Sequence, residues 1–140
     1  MTAEREVLPA QALPGYFEIF TLHGQVHWRL LSRNNRDSGQ SGLPFSDRKA
    51  CQLGIARMIE VMPELQPQHT LTDNRWNWAL QVDGEVLARS SHSFDRRIRC
   101  VAACDWFRSA APLAAIRDGQ RVVRGPRLSR QGYARQAAMP

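Results

Sequence analysis

Catalysis or metal binding would have to begin with histidine, cysteine, serine and carboxylate side chains, and in this sequence they are scattered. The four histidines are His23, His27, His69 and His92. A nucleophile needs a base beside it. Ser90-Ser91-His92 is contiguous in the chain, which is not the geometry of a catalytic triad. His27 and His69 are expected on strand faces and would meet only if the fold brought them together. Cys51, Cys100 and Cys104 are an odd set, and the last two are one helical turn apart rather than in CxxC spacing. They read as small apolar core residues. No His, Cys or carboxylate pair stands at ligand spacing, and neither GxGxxG nor GxxxxGK[ST] occurs. The expectation is a protein that is not an enzyme, with no catalytic residue, no metal and no cofactor.

Residues suited to binding are more concentrated. Trp28, Trp76, Trp78 and Trp106 could stack bases beside Arg29, Arg75 and Arg89. Trp28 and Trp78, however, sit at the centres of alternating segments and read as inward packing residues. Trp106 lies beside Phe107, about a quarter-turn off the apolar stripe of its helix, where it would border the core or a partner-binding patch. The second concentration is charge. Residues 1–112 carry 13 basic and 12 acidic side chains, whereas 113–140 carry six arginines against Asp118. Arg121, Arg124, Arg127 and Arg130 recur every third residue around Gly125-Pro126, a period that lines one face of a polyproline-II segment. With Arg117 and Trp106 they form the expected binding set. The tail would cover an acidic patch on a protein partner or clamp a phosphate backbone. The plainest alternative is a solvated terminus without a ligand.

The elements that must position these residues repeat. Val26, Trp28 and Leu30 alternate with His27 and Arg29, and Trp76, Trp78 and Leu80 do the same fifty residues later. Period-two alternation marks half-buried strands. Tyr16 to Leu22 should form the strand before the first, turning at His23-Gly24. The counterpart near His69 to Thr72 should turn at Asp73-Asn74. Ser32 to Gly39 reads as a long polar turn. Asp83-Gly84 is a preferred hairpin dipeptide, leading into a third strand at Glu85 to Ser90. Helices of about 16 residues follow, with the stripes Cys51, Ile55, Met58, Met62 and Cys100, Cys104, Phe107, Ala111. Ser46 and Asp95 are placed to cap them, Phe45 and Phe94 to staple them, and Pro63 and Pro112 to end them. The fold class expected is α+β, two tandem βββα repeats packed as a pseudo-dimer around antiparallel sheets. The corresponding organisation is an extended arm at 1–14, repeats at 15–63 and 68–112, and a flexible basic tail at 113–140. Pro63 to Pro67 is the connector, and Val7, Leu8 and Leu13 of the arm could dock on the body.

A hydrophobic fraction of 43% excludes wholesale disorder. No apolar run approaches the ~18 residues that a membrane span needs. With no secretory-type opening and an unpaired set of cysteines, the expected location is cytoplasmic. The basic residues are 18 Arg to one Lys, so a choice of Arg for its planar fork carries little weight.

Phe17-Glu18-Ile19-Phe20, Trp28-Arg29-Leu30 and Gly54-Ile55 resemble the pattern of the YegP-like family. Asn77-Trp78-Ala79-Leu80, Asp83-Gly84-Glu85-Val86-Leu87-Ala88, Ser90-Ser91 and Phe94 resemble it a second time. The resemblance spans roughly residues 16–112, leaving the arm and the basic tail outside. It implies βββα units, as tandem pairs or as dimers of single units, and brings no established activity. The functional expectation is a binding or adaptor module whose tail contacts an acidic partner. The alternative is nucleic-acid binding through the tail and strand-face arginines. No membrane partner is expected, and homo-oligomers are allowed.

Overall fold

The structure, a computed structural model, describes residues 14–118 and 121–123. Three hairpin strands open it: β1 (Gly15–Leu22), β2 (Gln25–Ser32) and β3 (Asp37–Ser41). Helix α1 (Arg48–Glu60) follows, then β4 (Gln66–Thr72), β5 (Arg75–Val82), β6 (Glu85–Arg89) and α2 (Arg97–Ala110). The described chain ends with β7 (Ala115–Asp118) and β8 (Arg121–Val123). The tight turns arise where the sequence supplies residues tolerant of positive φ. His23 and Gly24 have φ of 52° and 78°, and Asp73 and Asn74 have 52° and 63°. Both are two-residue turns whose twist matches that of the flanking strands.

All eight strands join one sheet in the order β4-β5-β6-β3-β2-β1-β7-β8. The two three-strand groups meet at a short β3–β6 pairing, Gln40 with Arg89 and Ser41 with Ala88. The two groups thus share one sheet, and to the antiparallel pairing expected β7 adds a parallel strand beside β1. Alternation sends Phe17, Ile19, Val26, Trp28, Leu30, Trp78 and Leu80 to one face, where both helices cover them. Phe107 of α2 seals the centre, its ring 6.0 Å from Trp28 and 5.0 Å from Trp78. Both helical stripes are buried in full, and all three cysteines with them.

Several expectations need correction. The caps fall one residue later: Asp47 accepts the Ala50 N–H at 2.8 Å, while Arg96 occupies the equivalent place with no side-chain cap. The reason is tertiary. Phe45 and Phe94 form backbone bridges with Val26 and Trp76, which hold the chain extended past Ser46 and Asp95. Pro63 and Pro112 end the α-helices as expected, each inside a short 3-10 turn. The polar turn after β2 is shorter than expected, since β3 begins at Asp37. The connector is shorter too, because Gln66 and Pro67 already pair within β4. Residues 114–118 are not an external tail. Ala114, Ala115 and Ile116 are buried, and β7 pairs with β1 from Tyr16 to Glu18. Of the N-terminal arm, residues 1–13 lie outside the described residues, as do 124–140 of the tail.

Candidate functional site

The strand residues between the core positions face away from the helices, and they carry a band of aromatic and cationic groups. Register aligns them across five strands. Arg117 stands beside Glu18, Glu18 opposite Arg29, Arg29 opposite Gln40, and Gln40 opposite Arg89. Arg29 is the organised centre. Its Nε donates to Glu18 Oε1 at 2.7 Å, its Nη2 is ion-paired with the same oxygen at 2.7 Å, and its Nη1 lies 3.7 Å from Asp37 Oδ2. The guanidinium also sits 5.4 Å from the centre of the Phe20 ring, which stacks on His27 at 5.6 Å. Asp37 in turn accepts a hydrogen bond from the Ser91 hydroxyl.

Arg117 stacks on Tyr16, with its guanidinium carbon 3.8 Å from the ring centre. The Tyr16 hydroxyl donates to Asn35 in the β2–β3 turn. With its amide oxygen turned toward Arg89, Gln40 accepts from Nη2 at 3.2 Å and Nε at 3.3 Å. Among the described residues, no carboxylate lies within ion-pair distance of Arg89 or Arg117. Arg29 is thus neutralised locally, whereas Arg89 and Arg117 keep charge that an anionic surface could meet.

The sequence-derived binding set is divided by the fold. Arg117 lies on the open sheet face. Arg121 belongs to β8, and its side chain, with Arg124, Arg127 and Arg130, lies outside the described residues. Trp106 is on α2, in the helical layer, 38% exposed. It borders two adjoining grooves. One, about 420 Å³, is lined by Pro14, Ser32, Arg33, Asn34 and Trp106. The other, about 650 Å³, runs past Ser32, Arg36, Asp37, His92, Phe94 and Trp106. Trp28 and Trp78 are core residues, each 1% exposed. The aromatics on the open face are instead Tyr16, Phe20 and His27. Their signal was the other phase of the alternation that marks Phe17, Ile19 and Trp28 as inward.

His27 and His69 do not meet, since β5, β6 and β3 stand between their strands. His69 occupies a half-buried place opposite Trp78 on β4. Burial, and then the Arg97 charge, holds its pKa below the usual histidine value against the opposing pull of Asp105. The Cys104 thiol is pushed up to about 12 by burial, and burial raises Cys100 as well. Thiolates are the reactive form, so these thiols are inert packing groups near neutral pH. Among the described residues, no group of three or more His, Cys, Asp or Glu is placed to hold a metal ion. No helix there is long and apolar enough to cross a membrane.

The class defined by this architecture is a single mixed sheet with two helices on one face, and the fold is the YegP-like fold. Escherichia coli YegP, described as a protein of unknown function, matches 77% of this chain over 95% of its own length, with TM-score 0.64 and 14% identity. A UPF0339 protein of Shewanella oneidensis matches 77% of this chain over 93% of its own, with TM-score 0.66 and 13% identity. No protein-family model and no curated protein matches the sequence.

Proposed function

We propose that this protein is a non-enzymatic binding module in which a duplicated βββα body presents the open sheet face and the Arg-rich tail to an acidic protein partner. The observation that carries the reading is the band from Arg117 to Arg89, in which both outer arginines lack a carboxylate partner among the described residues. The last described strand, β8, lies beside β7, and Arg124, Arg127 and Arg130 follow it in sequence. Duplication is supported by recurring details. Trp28 and Trp78 each donate a backbone N–H to a serine hydroxyl, Ser41 at 3.3 Å and Ser90 at 3.2 Å. The Val26–Phe45 and Trp76–Phe94 bridges are a second such pair.

Nucleic acid is the second reading, favoured by the cation-on-ring pairs Arg29–Phe20 and Arg117–Tyr16, because exposed rings beside arginines can stack bases. One experiment separates the two. Fluorescence anisotropy would follow a labelled oligoglutamate peptide and labelled single- and double-stranded DNA. Full-length protein would be compared with Arg89→Glu/Arg117→Glu and with a chain ending at 123, which keeps the buried strand β7. Peptide binding that weakens with salt and drops at least tenfold in the double variant is the expected result. DNA binding alone, falling with a log–log salt slope of about −0.9 per phosphate contact on duplex, would put the second reading first. No binding of either probe at low salt overturns both.

A further inference from the structure

Two corresponding corners of the molecule are built alike and finished differently. In each, the start of a third strand meets the entry loop and the helix of the other three-strand group. Leu30 pairs with Gly39 and Leu31 with Asp37 across a register shift, as Leu80 pairs with Ala88 and Gln81 with Val86. This register makes Arg36 the counterpart of Glu85, and Asp37 that of Val86. The same sequence offset relates Phe45 to Phe94, Gly54 to Ala103 and Arg57 to Trp106. The corner at Glu85 is closed. Arg57 Nη1 reaches Glu85 Oε1 at 3.1 Å across it. The Phe45 ring lies on the bare backbone of Gly54, where a methyl would come within 2.5 Å of it. At the Arg36 corner both closures are replaced. Trp106 and Arg36 stand where Arg57 and Glu85 form their ion pair, and the Ala103 methyl keeps Phe94 off the helix. What opens there is the larger groove, about 650 Å³, with Phe94, Ala103 and Trp106 as its apolar surface.

We infer that this groove is a binding site for a small aromatic carboxylate, its ring against Trp106 and Phe94 and its anion on Arg36. Aromatic side chains suit a planar ring, and the volume is that of a small-molecule site. Charge selects the anion. Asp37 also lines the groove, but its carboxylate is engaged, accepting from the Ser91 hydroxyl and facing Arg29 Nη1 at 3.7 Å. Arg36 is exposed and, among the described residues, has no carboxylate within ion-pair distance. Its guanidinium is therefore the charge that a ligand meets, and charge-assisted hydrogen bonds are the strong ones. Ser32 stands beside it, its oxygen accepting the Arg36 backbone N–H at 3.2 Å, which leaves the hydroxyl proton for the same anion. The site uses neither Arg89 nor Arg117, so it stands apart from the open-face reading.

The test uses the full chain with naphthoate as the probe, and naphthamide and naphthylmethylammonium as its neutral and cationic counterparts. The Trp106 indole N–H resonance, assigned with Trp106→Phe, should shift saturably with naphthoate while the Trp28 and Trp78 signals stay in place. The Kd should be at least fivefold weaker for the amide and for the ammonium. Arg36→Glu should weaken naphthoate at least tenfold, and Arg36→Lys should stay within threefold of wild type. Trp106→Arg/Arg36→Glu copies the closure made by Arg57 and Glu85. It should abolish saturation transfer to naphthoate, with unchanged Trp28 and Trp78 signals reporting an intact fold. Equal affinity for the three probes would make the groove a non-selective apolar surface and overturn the proposal. Preference for the ammonium would assign recognition to Asp37 and overturn it too. So would a Trp106 signal unmoved at millimolar naphthoate, or an Arg36→Glu variant that binds as wild type does.

Discussion

At the centre of the molecule, Phe107 fills the space between Trp28 and Trp78, and Gly39 of β3 lies directly beneath it. A methyl at Gly39 would come within 2.7 Å of the Phe107 ring and 3.1 Å of Trp78. This glycine is required by close approach, not by its backbone angles. Gly39→Ala should cost about 1–3 kcal/mol, the usual penalty of overpacking. Truncation at the other side of the contact, Phe107→Ala, should cost about 3–5 kcal/mol by leaving a cavity. Urea unfolding followed by tryptophan fluorescence would measure both, and near-wild-type midpoints for either variant would contradict this packing. His69 supplies a pH dependence. It holds on β4 the place that Ile19 holds on β1, opposite Trp78 as Ile19 is opposite Trp28, and its Nε2 is buried without a partner. Its folded pKa is lowered, first by burial and then by Arg97, so the unfolded chain binds the proton more readily. The stability that neutral His69 contributes is complete above its unfolded value of about 6.5 and is lost as pH falls through the lower folded value. Wild type should therefore lose more stability than His69→Ile between pH 7.5 and 5, measured as the difference in urea midpoints. Parallel losses in the two proteins would contradict the assignment.

Among the elements, the two helices share a stripe, a 3-10 ending and a bridged entry, yet only one is capped. Asp47 has the extended backbone of an N-cap and accepts the Ala50 N–H, whereas Arg96 has the same extended backbone and offers no acceptor. Asp47→Ala should destabilise by about 1 kcal/mol. Arg96→Asp should instead stabilise by a comparable ~0.5–2 kcal/mol, adding a cap and a favourable charge at the helix N-terminus. Opposite shifts in thermal midpoint are the expected reading, and equal shifts would mean that the entry geometry differs from the one described. The same elements show what was legible beforehand. Hairpins at His23-Gly24, Asp73-Asn74 and Asp83-Gly84, both helical stripes and the inward tryptophans follow from local periodicity and turn chemistry, which act over a few residues. The caps were misplaced because Phe45 and Phe94 are held by strands far away in sequence, a constraint no local pattern carries. Strand β7 was hidden for a similar reason. Ala114 to Ile116 is a short apolar stretch inside an Arg-rich segment, and only its parallel partner β1 makes it a strand. Of the binding band, Arg29, Arg89 and Arg117 were legible as exposed cations. Their alignment in one row depends on the β3–β6 junction, which joins residues about fifty apart.

For the whole molecule, the outer strand of each three-strand group raises the problem that every open sheet faces, because an unpaired strand edge is a template for another chain. Strand β1 solves it by pairing with β7, through Tyr16 with Ala115, Phe17 with Ile116 and Glu18 with Arg117. Strand β4, the outer strand of the other group, has β5 as its one neighbour among the described residues. The register gives Pro67 a specific role there. The two-residue turn at Asp73-Asn74 makes Thr72 and Arg75 a hydrogen-bonded pair, so the bonded positions on β4 toward β5 alternate back through Thr70, Gln68 and Gln66. The backbone groups of Leu71, His69 and position 67 therefore point outward. Proline at 67 costs the β4–β5 ladder nothing and removes one outward donor, at the place matching Phe17, since Phe17 pairs with Leu30 and Pro67 with Leu80. One edge is built to take a strand and the other to refuse one. Pro67→Val restores the missing donor on a strand whose exposed side already carries Leu71, 53% exposed. The variant should keep its fold, by far-ultraviolet circular dichroism, and gain concentration-dependent association in sedimentation velocity, with a weight-average sedimentation coefficient that rises more steeply with loading than that of wild type. Adding Leu71→Lys to Pro67→Val should reverse the gain, because a charge on the open edge opposes pairing with another strand. Indistinguishable sedimentation of wild type and Pro67→Val would mean that the polar side chains of β4, and not Pro67, keep this edge from pairing.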